Sequence, residues 1–193
     1  MKNTMKTLLP LSLTAVFLFT FSCKPKVEQK MKNTSNDVNL TSQKTSGTIQ
    51  FSENVQRDFM EYLEIYMSLK DALVESDFNL TKNESTSGFN RISDISTTNI
   101  NDSGRDLLVN LKTKLESLSQ AKDIENQRSV FEDVSELTLL ISKNITLSSE
   151  IYVQYCPMAF NNKGAKWLSF DKKVMNPYFG DVMLHCGSVI EQF

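Results

Sequence analysis

FSENVQRDFMEYLEIYMSLKDALVESD, residues 51–77, decides the fold class. Phe51, Val55, Phe59, Tyr62, Leu63, Tyr66, Leu69 and Leu73 recur at steps of three and four, the spacing that lines one face of an α-helix. Ser52 stands where an N-cap belongs.

Downstream the same period returns. Residues 78–101 show it more weakly: Thr81 with Glu84 resembles a capping box, Phe89, Ile92 and Ile95 mark an apolar face, and Gly88 among many Ser, Thr and Asn residues lowers helix propensity. A short or broken second helix is expected there. Asp102 or Ser103 is placed to cap a third helix with the face Leu107, Leu108, Leu111, Leu115 and Leu118. After a turn at SQAKD, Ile124, Phe131, Val134, Leu137 or Thr138, Ile141 and Ile145 are in phase for a fourth. Short connections make successive helices antiparallel neighbours, so the expected fold is mainly α, an up-down bundle of three to four helices.

At Glu150 the period falls from 3.6 to 2. Ile151, Val153 and Tyr155 alternate with Tyr152, Gln154 and Cys156, which suits a strand. The segment from about 150 to 193 also contains Gly164, Pro177, Gly180, Gly187 and the single Trp167, and predicts short strands and turns packed on one end of the bundle. Trp167 and the surrounding Tyr and Phe residues are expected to pack this segment onto the helices.

The chain begins differently. Lys2 and Lys6 precede an apolar run from Leu8 to Phe21, and Ser22 stands directly before Cys23. The run is too short and too early for a spanning helix; the layout is that of a lipoprotein signal peptide over residues 1–22, with Cys23 acylated as the new N-terminus. An ordinary cleaved signal or an uncleaved anchor is the plainer alternative. Acyl chains on Cys23 hold a protein at a membrane surface. Lys24, Pro25 and Lys26 follow instead of surface-export acids, so the expected place is the cell membrane or outer membrane, facing the periplasm. Residues 23–50, rich in Lys, Asn, Ser and Thr, bury too little apolar surface to fold and read as a flexible tether. Residues 51–193 then form one domain.

The 193-residue chain carries a net charge of −2, and loss of Lys2 and Lys6 leaves 19 basic and 23 acidic side chains, a net −4. That balance, without a basic patch, argues against nucleic acid as a partner.

The chemistry concentrates in the last segment. Of three cysteines and eight methionines in the chain, Cys156, Cys186, Met158, Met175 and Met183 fall after residue 150, as does the only histidine, His185. Side chains at i and i+2 of a strand share a face, so Cys156 and Met158 are expected to point together across Pro157, and a turn brings Met183 to Cys186. Two thiolates and two thioethers are the donors Cu(I) prefers. Zinc through Cys156, Cys186 and His185 leaves both methionines unexplained. In an oxidising compartment the cysteines equally suit a Cys156–Cys186 disulfide with the methionines as core filling, and unlinked buried thiols are a third reading. Met175 and His185 are accessory candidates. No catalytic constellation is present: His185 adjoins Cys186 in sequence and points away from it in an extended backbone, and there is no phosphate loop or metalloprotease motif, so no enzyme is expected. Glu61, Glu64 and Asp71 read as a solvated helix face.

YVQYCPMAF, NNKGAKWLS and NPYFGDVMLHCG, in that order, closely resemble the signature of a small domain of unknown function in exported bacterial proteins, also attached to the C-terminus of some periplasmic adaptor subunits of copper and silver efflux pumps. YLEIYMSLKDALVESD resembles its helical part, so the resemblance covers roughly residues 51–193. It implies a helical domain associated with heavy-metal handling and carries over, residue by residue, to Cys156, Met158, Met183 and Cys186. Met175 and His185 depart from the pattern. The function implied is periplasmic, membrane-anchored binding of Cu(I) or Ag(I) in metal homeostasis or efflux, with an efflux adaptor as partner. The alternative is a non-enzymatic structural or interaction module of the cell envelope, stapled by a Cys156–Cys186 disulfide.

Overall fold

The computed structural model of the chain describes residues 49–193. The expected signal peptide, Cys23 and all but the end of the tether lie outside them. The described residues belong to one compact unit. Four long helices come first: α1 Glu53–Val74, α2 Phe78–Asp94, α3 Asp102–Ser119 and α4 Ile124–Ser142. They pack in sequence order, α1 on α2, α2 on α3 and α3 on α4. A three-stranded antiparallel sheet follows, from β1 Tyr152–Cys156, β2 Ala165–Ser169 and β3 Ser188–Gln192, with β1 in the centre. The architecture is therefore the expected one, a mainly α bundle with C-terminal strands.

α1 supplies the centre of the core. Phe59, Tyr62, Leu63, Tyr66, Leu69 and Leu73 are fully buried, together with Leu111, Leu115 and Leu118 of α3 and Phe131, Val134 and Ile141 of α4. Two phenols cross it: Tyr62 meets Thr138 at 3.0 Å, and Tyr66 meets Ser135 at 2.8 Å and accepts from the Leu168 N–H at 3.1 Å. Burial holds both phenols far above their ordinary pKa, so they stay protonated. The Leu168 bond joins the sheet to α1, and β2 packs on α4, where Lys163 reaches Glu132 at 2.7 Å and Lys166 reaches Glu136 at 3.4 Å.

Three local expectations require correction. The second helix is neither short nor broken; it runs unbroken for 17 residues. A Cβ at Gly88 would come within 3.2 Å of Leu115 and 3.4 Å of Tyr62, so this glycine lets α2 approach α1 and α3 closely. The Ser and Thr side chains, instead of competing with the helix, bond back to carbonyls one turn earlier, as Ser85 does to Thr81, Thr86 to Lys82 and Ser93 to Phe89. The cap of α2 is Asp77, which accepts from Leu80 N–H, and not a Thr81–Glu84 box; Thr81 sits inside the helix and donates to the Asp77 carbonyl. The cap of α3 is Asn101, accepting from Gly104 N–H, one residue ahead of Asp102. Ser52 occupies the N-cap of α1 with extended backbone, but makes no side-chain cap bond.

In β1 the alternation is masked, because Val153, Gln154 and Cys156 are all buried. This central strand is thus covered on both faces. Gln154 donates to the carbonyls of Asp171 and Lys173, so the segment after β2 folds over the face that bears Gln154 and Cys156.

Candidate functional site

Cys156 ends the central strand, paired with Ala165 of β2, and is fully buried. Cys186 lies in the turn before β3 and is partly exposed. The fold brings these sulfurs, 30 residues apart in sequence, to 2.8 Å, with both cysteines unlinked. Such an approach places the thiols within reach of a disulfide bond, whose length is about 2.05 Å. A metal makes a different demand. With metal–sulfur bonds of about 2.3 Å at a tetrahedral centre, two thiolates stand about 3.7 Å apart, so binding requires the pair to open by roughly 1 Å. Cys186 lies on a partly exposed turn, whereas Cys156 is buried in the ladder opposite Ala165 of β2.

The methionines are placed by turns. Cys186 N–H donates to the Met183 carbonyl at 3.0 Å, closing the expected turn. Met158, however, does not share a strand face with Cys156. β1 stops at Cys156, and Pro157 and Met158 turn away from it, Met158 with helical angles of φ −89 and ψ −11. Phe160, Asn161 and Asn162 then follow with φ of 50, 57 and 68. Left-handed geometry is costly for Phe160 and tolerable for the two asparagines. The run is held by Gly164 N–H to the Ala159 carbonyl at 2.9 Å and by Phe160 packing edge-on against Tyr178 at 5.3 Å.

This turn forms one wall of a cavity of about 550 Å³, and Met183 and Val182 contribute another. Both Met158 and Met183 line it, with Arg128 and Glu125 from α4. Met158 is 48% exposed and Val182 83%. The four sulfurs are therefore arranged as a thiol pair and two methionines at a neighbouring cavity. The accessory candidates stand apart: His185 is exposed, its Nδ1 at 2.9 Å from the Val174 carbonyl, and Met175 does not line the cavity. Among the described residues, no three His, Cys, Asp or Glu side chains gather as metal ligands.

Electrostatics favour the protonated thiol. The hydrogen bond with Cys156 pushes the Cys186 thiol up from 9.0 to about 11, with burial and the Cys156 charge adding to it and the Met158 backbone opposing it. Thiolate is the nucleophile. Iodoacetamide should therefore label Cys186 of the reduced chain slowly at pH 8. Its rate should keep rising toward pH 11, past the pH at which an ordinary thiol levels off. A plateau near pH 9, read by mass spectrometry of the labelled peptide, would contradict this.

Two residues that sequence reading passed over hold the site. Arg128, nearly buried, donates to the carbonyls of Pro177 at 3.1 Å and Leu73 at 3.3 Å and to Ser76 Oγ at 2.8 Å, and so ties the end of α1 and the start of α4 to the segment after Asn176. Gly180, at φ 53, passes so near that a Cβ would lie 2.7 Å from the Arg128 guanidinium. An arginine four residues after Ile124 and three before Phe131, on the apolar face of α4, was the legible signal. Asn176, fully buried, donates its side-chain amide to the Cys186 carbonyl at 2.8 Å. The NPYFG turn pointed to this region without giving its role.

Residues 62–150 match the model of a family described as "Protein of unknown function (DUF3347)". That span runs from within α1 to the residue before Ile151, so the thiol pair and both methionines lie beyond it, while Glu125 and Arg128 of the cavity wall fall within it. No curated protein and no solved structure matches the chain.

Proposed function

We propose that this is an exported, membrane-anchored protein that binds Cu(I) or Ag(I) without catalysis, through the thiolates of Cys156 and Cys186 and the thioethers of Met158 and Met183. Its role is to buffer the ion or pass it to an efflux adaptor. The observation that carries the reading is the convergence of Cys156 and Cys186 to 2.8 Å, with both methionines on one adjoining cavity. Soft donors select a soft monovalent ion, and a thiol on a partly exposed turn allows it to be taken up and released. The resemblance of the C-terminal signature to domains on copper and silver efflux adaptors supports the cargo and the partner. The layout around Cys23 supports a lipid anchor facing the periplasm.

A second reading is favoured by the same short distance. Oxidised, the pair staples the sheet's centre to the turn before β3, and the protein is an envelope interaction module. The two states exclude each other, since a disulfide leaves no thiolate for a metal.

Titration of the reduced full chain with Cu(I) against a competing chelator tests the first reading. One equivalent withdrawn from the chelator is the expected result. If the chelator keeps all the copper, and if protein isolated without reductant has no free thiol at 156 or 186, the staple is the correct reading.

A further inference from the structure

We propose that Asn176 is the positioning residue of the thiol pair, holding the Cys186 turn where its sulfur faces Cys156. The inference rests on the reading that the two thiols act as one unit, whether on a metal or on each other.

Three polar groups of Asn176 are used, and they join segments on both sides of the turn. Its backbone N–H donates to the Leu184 carbonyl at 2.7 Å, its side-chain amide donates to the Cys186 carbonyl at 2.8 Å, and its side-chain oxygen accepts from the Tyr178 N–H at 2.8 Å. Tyr178 in turn donates its hydroxyl to the Lys166 carbonyl of β2 and stands edge-on to Trp167 at 5.8 Å. β2 pairs with the strand that carries Cys156. A continuous set of bonds therefore runs from Cys156 through β1, β2, Tyr178 and Asn176 to Cys186.

Two further restraints act on Cys186 differently. Its N–H bond to Met183 closes the turn on itself and fixes the turn's shape, not its place. Pairing of β3 with β1 begins only at Ser188, and Gly187 between them has φ 138, a conformation that side-chain-bearing residues rarely adopt. The Cys186 carbonyl itself is held by Asn176. A side-chain donor and acceptor are both needed. Serine keeps an acceptor for the Tyr178 N–H, as hydroxyls do in Asx-like turns, but is too short to reach Cys186; alanine keeps neither.

The test uses the full chain with Cys23→Ala, so that only Cys156 and Cys186 report. It is equilibrated in reduced and oxidised glutathione, where the two thiols give two electrons and two protons to glutathione disulfide and release two glutathione thiols. The oxidised fraction is read by thiol labelling and mass, with helix content followed by circular dichroism. In Asn176→Ser the equilibrium constant for the Cys156–Cys186 disulfide should fall about tenfold, which is about 30 mV toward a less negative potential, with helix content kept. Asn176→Ala should lose at least as much. An unchanged constant in a folded Asn176→Ser chain overturns the proposal, and so does loss of helix content in that variant, which makes Asn176 a folding residue only. If the Cys23→Ala parent forms no disulfide at any poise, it is the thiol-pair reading that fails.

Discussion

Cys156→Ser is expected to remove Cu(I) competition almost entirely, a loss of roughly a thousandfold in affinity, or about 4 kcal/mol. Cys156 sits at the end of the central strand, fully buried, and no other described thiol but Cys186 is near it. A serine hydroxyl is a hard, neutral donor that a soft monovalent ion does not accept in place of thiolate. Met158→Leu and Met183→Leu keep the volume and the cavity wall and should each weaken binding by about tenfold, ~1.4 kcal/mol. The contrast between thiolate and thioether is the informative part. Equal effects from all four, or no effect from Cys156→Ser in the same chelator titration, would show that the ion is held elsewhere.

Trp167→Ala is expected to destabilise the fold by about 3–5 kcal/mol, the range for removing a buried large aromatic side chain. Trp167 is nearly fully buried and stands opposite Gln154 in the register of β1 and β2. Its ring meets Tyr178 edge-on at 5.8 Å, and Tyr178 meets Phe131 of α4 at 5.9 Å, so it links the sheet to the helical core. Gly187 packs on its far side, where a Cβ would come to 3.0 Å of the indole and 2.8 Å of the Tyr155 carbonyl. A midpoint lower by roughly 10 °C or more in thermal unfolding is the expected reading for a domain of this size. The residual folded protein should also label faster at Cys186, because the indole supports the residue after it. A shift of only one or two degrees would mean that the sheet does not depend on this contact.

Residues 51–77 carried the fold class because a 22-residue helix with an uninterrupted apolar stripe has few alternative folds. α3 and α4 were legible for the same reason. α2 was misread because Gly88 and its hydroxyl residues count against a helix in isolation, while their value lies in tertiary contact: Gly88 admits Leu115 and Tyr62, and the hydroxyls satisfy themselves on the helix's own carbonyls. Helix caps shifted by a residue or more where several Asx or hydroxyl side chains compete, as at Asp77 against Thr81 and Asn101 against Asp102.

The candidate site was legible in the sequence as a set of residue types and less so as geometry. The i to i+3 closeness of Met183 and Cys186 follows from any tight turn, and the turn is there. The i to i+2 argument for Cys156 and Met158 failed because it assumed that the strand continues through Pro157, whereas the chain turns there and enters three successive left-handed residues. Nothing in a strand period announces that. Arg128 and Asn176 escaped because their role is to bond distant backbone carbonyls, and no spacing rule in one dimension encodes a partner 49 residues away, as Pro177 is from Arg128.

The central claim is that the four sulfurs of Cys156, Met158, Met183 and Cys186 constitute one site. X-ray absorption at the copper edge of the reduced chain loaded with one equivalent of Cu(I) tests it most directly. An all-sulfur first shell that loses intensity in the Met158→Leu, Met183→Leu double variant is the predicted result. A shell containing nitrogen or oxygen, or one unchanged by that double variant, would contradict it.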